Sequence, residues 1–175
     1  MLSGVPQGSI LGPLLYTLYT ADLPQSDKTI LSTFAEDTAI FTTNPDRTQT
    51  SANLQERLLE ITNWMRKWKL KINESKSSHI TFSLRRGKCP PVNINQTDVP
   101  QVESVKYLGI HFDRRLTWKA HVSSKRKQLD LKAREIKWII GRHSPLSLEN
   151  KNLIYKTILK PVSTYGIELW GCASK

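Results

Sequence analysis

Two periodicities organise the apolar positions of this chain. In residues 29–42, β-prone and apolar residues run up to Glu36 and Asp37 and resume directly after them. That pattern predicts a tight hairpin holding two adjacent carboxylates at its tip. Next, Leu54, Leu58, Ile61, Met65 and Trp68 recur at spacings of four and three behind Asn44-Pro45-Asp46, which predicts one long helix. Its stripe reads as a core face lying beneath the sheet of the Glu36–Asp37 hairpin. Glu56, Arg57, Glu60, Arg66, Lys67 and Lys69 fall mostly off that stripe, on an exposed face. Residues 79–82 predict a strand, and residues 92–99 a small hairpin turning near Asn95–Asp98. A further strand ends in Tyr107-Leu108-Gly109-Ile110, where the glycine suggests a bulge or a close backbone approach.

From Thr117 the period becomes helical again. Trp118, Val122, Leu129, Ile136, Ile139 and Ile140 form a stripe closed by Gly141 as C-cap. Ser147 predicts the N-cap of a helix through Leu159 that Pro161 ends or kinks, and residues 162–170 continue helically. At the other end, Gly4, Pro6, Gly8, Gly12 and Pro13 break regular structure, with Pro13 suited to the first turn of a helix over residues 14–19.

Charge changes this picture. The 175 residues carry a formal net charge of +11, which favours a polyanionic partner. Between Arg114 and Arg142 ten basic residues face only two acids, so most of the excess lies in that one segment. No Lys or Arg occurs between Lys28 and Arg47. Glu36 and Asp37 are therefore left without a neighbouring cation, as a Mg²⁺ site requires. A solvated acidic turn has the same make-up. Cys89 and Cys172, like the four histidines, lack metal-ligand or disulfide spacing. No signal peptide or membrane-length apolar run is present, so an intracellular protein without a membrane partner is expected. No Gly-rich loop ends in Gly-Lys-Ser/Thr, which excludes a P-loop site.

Taken together, five ordered segments resemble a reverse transcriptase of the non-LTR (LINE-type) retrotransposons, of the jockey kind. Residues 4–13 resemble motif B, and Phe34-Ala35-Glu36-Asp37 resembles motif C, in which two aspartates are usual. Residues 73–76 resemble motif D, residues 105–112 motif E, and residues 159–171 a stretch of the thumb.

The resemblance implies an α+β fold: a partial polymerase palm (antiparallel sheet packed on helices) over residues 1–113, then a helical thumb over residues 114–175. It implies RNA-templated extension of a DNA primer by two-metal nucleotidyl transfer, with Mg²⁺ or Mn²⁺ as cofactor. Template RNA, primer DNA and deoxynucleoside triphosphates would be the partners, and the nucleus the compartment. Glu36 and Asp37 would be metal ligands, and Lys76 would neutralise charge at the triphosphate. Gly4, Pro6, Gln7, Gly8 and Ser9 would shape the nucleotide and template pocket. Tyr107, Leu108 and Gly109 would support the primer terminus. Arg114, Arg115, Lys119, Lys125, Arg126, Lys127 and Lys132 would contact nucleic-acid phosphates.

Two departures limit the expected activity. The fingers and motif A, with its aspartate, lie upstream of motif B and are not among these residues. In addition, Glu36 stands where motif C has its first aspartate, and the extra methylene moves the carboxylate by roughly 1.5 Å. The isolated chain is therefore expected to be inactive. The alternative is a decayed retrotransposon remnant that at most binds nucleic acid.

Overall fold

A computed structural model describes residues 8–85 and 87–172. Gly4, Pro6 and Gln7 lie outside them. The described residues form an α+β fold of helices and small antiparallel sheets, divided into two compact units.

The first unit holds the described residues up to His79 together with Gly87–Gln101. It opens with α1 (Leu11–Tyr19), where Pro13 is the third helical residue. Its missing N–H falls among those that have no intrahelical partner, so it costs little. Strands β1 (Ile30–Phe34) and β2 (Asp37–Phe41) then pair in register, Phe34 opposite Asp37 and Ile30 opposite Phe41. The long helix α2 (Arg47–Lys67) starts where the Asp46 carboxylate accepts from the N–H groups of Thr48 and Gln49. β3 (Val92–Ile94) and β4 (Thr97–Val99) form a second hairpin, whose turn residues Asn95 and Gln96 both have positive φ. This is the primed geometry that matches strand twist, and it is tighter than the predicted Asn95–Asp98 turn, since Thr97 and Asp98 already belong to β4.

The core of this unit is Val92, Ile94 and Val99 against Leu54, Leu58 and Ile72. The α2 stripe thus packs on the β3–β4 hairpin, where the sequence suggested the hairpin of Glu36 and Asp37. The open edge of β3 is satisfied by a side chain: Gln55 donates to the Asn93 carbonyl and accepts from its N–H, at 3.1 and 2.7 Å. An amide standing in for a neighbouring strand protects an edge that would otherwise invite pairing.

Two expectations about this unit are corrected. Arg57 is almost fully buried rather than exposed. Its guanidinium donates to the Pro24 carbonyl and to Glu60, so it earns its burial by fixing the segment that leads into β1. Residues 79–82 do not form a strand; His79 makes one isolated parallel bridge to Gln101.

The second unit comprises residues 80–85 and the described residues from Val102 onward. β5 (Ser104–Tyr107) and β6 (Ile110–Asp113) pair with Tyr107 opposite Ile110. Leu108 and Gly109 are therefore a two-residue turn, both at positive φ, and Gly109 is not a strand bulge. Helix α3 (Lys119–Glu135) packs against β6, and its buried face carries His121 and leads to Ile136. Val122 is exposed, contrary to the predicted stripe.

A break at Ile136 leads to α4 (Lys137–Ile140), capped by Gly141 as expected. Ser147 caps α5 (Leu148–Ile154) by accepting from the Asn150 N–H. A π-helical turn, Tyr155–Leu159, comes before α6 (Lys160–Thr164), which contains Pro161. Pro161 cannot donate to the preceding turn, and a π-bulge is one of the few ways a helix absorbs that loss. The helix expected over residues 162–170 is interrupted at Tyr165–Gly166 before α7 (Ile167–Trp170).

Candidate functional site

The β1–β2 register leaves Ala35 and Glu36 as the turn and makes Asp37 the first residue of β2. Ala35 has φ 48°, a left-handed conformation that costs an L-residue roughly 1–2 kcal/mol. Strain of this kind persists only where neighbours enforce it. One enforcing contact comes from α1: the Tyr16 hydroxyl donates to the Ala35 carbonyl at 2.5 Å. Burial, reinforced by the Glu36 charge, pushes the Tyr16 phenol above its usual range, so it stays a donor.

Phe34, Ala35, Glu36 and Asp37 are all exposed. Neither carboxylate has an ion-pair partner among the described residues. In kind the pair suits a hard divalent cation: two uncompensated carboxylates on a pinned turn. In number it is incomplete, since no group of three His, Cys, Asp or Glu side chains converges among the described residues.

Other predicted site residues sit as follows. Gly8 and Ser9 lead into α1, and the Ser9 hydroxyl accepts from the Leu11 N–H. Lys76 is exposed at the end of a short 3₁₀ turn, Glu74–Lys76, which Asn73 caps. No ion pair joins it to Glu36 or Asp37. Tyr107, Leu108 and Gly109 form the tip of the β5–β6 hairpin.

The seven predicted phosphate-contact residues separate into two groups. Arg114 is committed within the unit, donating to the Arg85 carbonyl at 2.5 Å and lying 3.8 Å from Glu103. Lys125 sits 4.5 Å over the Tyr165 ring, and Lys132 pairs with Glu135 at 2.7 Å. Arg115, Lys119, Arg126 and Lys127 are exposed and have no ion-pair partner among the described residues. Helical spacing puts Lys119, Arg126, Lys127 and Arg134 on one face of α3, opposite buried His121.

Where α3 begins, Asp113 organises the loop. Its carboxylate accepts from the N–H groups of Arg115, Thr117 and Trp118 and from the Thr117 hydroxyl. Burial works to raise this carboxyl, but those donors outweigh it and hold it below its usual range. They also pin Leu116 and Trp118 at positive φ. Arg115 and Lys119 thereby line a cleft of about 400 Å³ with Glu103, Asp113, Arg114, Thr117 and Ala120.

His121 is completely buried, and its Nδ1 accepts from the His111 N–H at 3.3 Å. Burial pushes its imidazole down, and the charges of Lys125 and His111 act in the same direction. Neither Tyr16 nor His121 was legible as a site-organising residue. Each acts on a backbone group, and such contacts leave no spacing in the sequence.

Residues 2–112 match the family described as Reverse transcriptase (RNA-dependent DNA polymerase). The chain belongs to the reverse transcriptase family. It is 43% identical over 176 residues to the probable RNA-directed DNA polymerase from transposon X-element of Drosophila melanogaster, covering 98% of this chain and 19% of that protein. It is 35% identical over 181 residues to the RNA-directed DNA polymerase from mobile element jockey of the same species, with 99% and 20% covered. To the probable RNA-directed DNA polymerase from transposon BS, also of Drosophila melanogaster, identity is 34% over 185 residues, with 100% and 20% covered.

This reverse transcriptase chain thus spans about a fifth of the length of the curated relatives it matches. No solved structure matches it. Among the described residues no helix is long and apolar enough to cross a membrane. Reverse transcriptases generally use divalent metal ions, and the Glu36–Asp37 turn lies inside the matched residues.

Proposed function

We propose that this chain supplies the palm and thumb portion of an RNA-directed DNA polymerase, with residues 1–113 in the palm role and 114–175 in the thumb role. The observation that carries the reading is the uncompensated Glu36–Asp37 pair on a pinned hairpin turn. Glu36 and Asp37 would hold divalent ions, Mg²⁺ or Mn²⁺. When bound, these activate a primer 3′-hydroxyl and stabilise the pyrophosphate leaving group.

The chain's own residues do the rest. Tyr16 fixes the turn, so that the carboxylates need not reorganise when they take up their ligand. Gly4, Pro6, Gln7, Gly8 and Ser9 border the nucleotide and the template. Lys76 supplies a positive charge toward the triphosphate. Tyr107, Leu108 and Gly109 support the primer terminus. Arg115, Lys119, Arg126 and Lys127 meet phosphates of template RNA and primer DNA, a contact that releases counterions and weakens with salt. Work on nuclear DNA would place the parent protein in the nucleus.

Glu36 supports a second reading, that of a remnant with weakened chemistry. A misplacement of about 1 Å in a catalytic group costs on the order of a hundredfold. Both readings make the isolated chain inactive.

A chimera in which this chain replaces the matching segment of the X-element relative tests the metal-ligand assignment and the cost of Glu36, assayed for primer extension on an RNA template with Mg²⁺. Extension that Asp37→Asn abolishes and Glu36→Asp raises by at least tenfold is expected. Extension indifferent to Asp37→Asn would overturn the metal-ligand assignment. Extension by the isolated chain would overturn its inactivity.

A further inference from the structure

The thumb-like segment 159–171 contains one residue whose contacts are not explained by helix packing alone. Tyr165 lies at the break between α6 and α7, and its hydroxyl donates to the Leu108 carbonyl at 2.7 Å. Leu108 is the first residue of the β5–β6 turn, at φ 47°. The Tyr165 ring lies against the second turn residue: a Cβ added at Gly109 would meet ring atom Cε1 at 3.3 Å. Lys125 Nζ lies over the ring, 4.5 Å from its centroid.

The surrounding sequence serves this placement. Gly166 follows at φ 67°, a left-handed conformation that favours glycine, and a Cβ there would meet Ile110 Cδ1 at 2.7 Å and force that side chain to shift. The Trp170 indole N–H donates back to the Tyr165 carbonyl at 2.9 Å and fixes the break itself. Tyr165, Gly166 and Trp170 together form a latch on one hairpin tip.

We infer that Tyr165 is a positioning residue for the Leu108–Gly109 turn, and that Lys125 serves it by a cation–π contact rather than by meeting phosphate. This rests on the reading above, in which that turn supports the primer terminus. The latch holds the left-handed pair of turn residues in one conformation, so the turn meets a primer end without first being ordered.

The test uses the chain as it is, with two fluorescent probes. One is a DNA primer annealed to a longer RNA template, giving a recessed 3′ end; the other is a blunt DNA–RNA duplex of the same paired length. Wild type is expected to bind the recessed probe more tightly. Tyr165→Phe keeps the ring but loses the donor, and is expected to lose roughly fivefold in affinity for the recessed probe, as for one hydrogen bond. Its affinity for the blunt duplex is expected to stay unchanged, and its urea midpoint to fall only slightly.

Amide exchange at Gly109 and Ile110 is expected to quicken relative to Ser104–Lys106. Gly109→Ala, which crowds the ring from the turn's side, is expected to give the same loss of end preference. Wild type without any end preference overturns the primer-terminus reading. Wild type with a preference that Tyr165→Phe retains, or unchanged turn exchange in that variant, overturns the latch.

Discussion

The β1–β2 and β5–β6 hairpins solve one problem with unequal support. Each has a two-residue turn whose first residue, Ala35 or Leu108, sits at positive φ, and each has that residue's carbonyl held by a tyrosine hydroxyl. Beneath β5–β6 lies a core: Ile110 is buried and α3 packs on the strand. Its second turn residue is glycine, which takes the left-handed conformation freely. The β1–β2 hairpin has Ile30 at 71% and Phe34 at 63% exposure and no glycine in its turn. The hairpin bearing the carboxylates is thus the less well supported. Left-handed strain is shared by both turns, at Ala35 and at Leu108, but exposure collects where a metal ion would be met, while the other tip is stabilised by the chain's own packing.

Matched truncations would break this contrast most forcefully. Ile110→Ala is expected to cost about 3 kcal/mol in urea unfolding, since it opens a cavity in the second unit. Ile30→Ala, on an exposed strand face, is expected to change stability by no more than about 0.5 kcal/mol. Equal costs would mean that β1–β2 has a core of its own.

Acid should act on the supported side, in two stages. Well above about pH 6.5, the ordinary imidazole value, His121 is neutral in both states. With its folded pKa depressed, the unfolded chain takes up the proton first as pH falls below that value, and stability drops until the folded pKa is passed. Asp113 also has a depressed folded pKa. Its contribution is fully present above about pH 4 and lost as pH falls through the folded value. Urea midpoints from pH 7.5 to 3 should show both legs. His121→Asn should flatten the first and Asp113→Asn the second.

Exchanging the turn residues sharpens the comparison further. Ala35→Gly is expected to stabilise by about 1 kcal/mol by relieving the left-handed strain. Gly109→Ala is expected to destabilise by about the same amount, because it adds that strain and crowds Tyr165. Both are read from thermal or urea midpoints; the same sign for both would remove the asymmetry. Tyr16→Phe is expected to cost at most about 1 kcal/mol in stability. Its proper readout is Mn²⁺ affinity at the turn, which should fall severalfold.

Much of this layout is legible in residue order. The β1–β2 hairpin, α2 with its entry at Asn44-Pro45-Asp46, and the caps Gly141 and Ser147 follow from local propensity, which depends on neighbours in sequence. Arg57 misled because helical spacing sets its direction but cannot reveal that the Pro24 carbonyl waits there. Gly109 was legible only in part: a glycine in a strand pattern signals a bulge or a close backbone approach, and the structure makes it a turn residue lying against the Tyr165 ring. The carboxylate pair was visible from its missing cations. Tyr16 and Tyr165 stayed hidden because their partners are carbonyls 19 and 57 residues away.

A Mn²⁺ titration followed by NMR tests the carboxylate turn most directly, because paramagnetic broadening reports the ion's position whether or not catalysis occurs. Broadening is expected to centre on the amides of Phe34 to Thr38 and to vanish in the Glu36→Gln, Asp37→Asn double variant. Broadening centred on other acidic residues, or unchanged in that variant, would contradict a metal-binding hairpin in this chain.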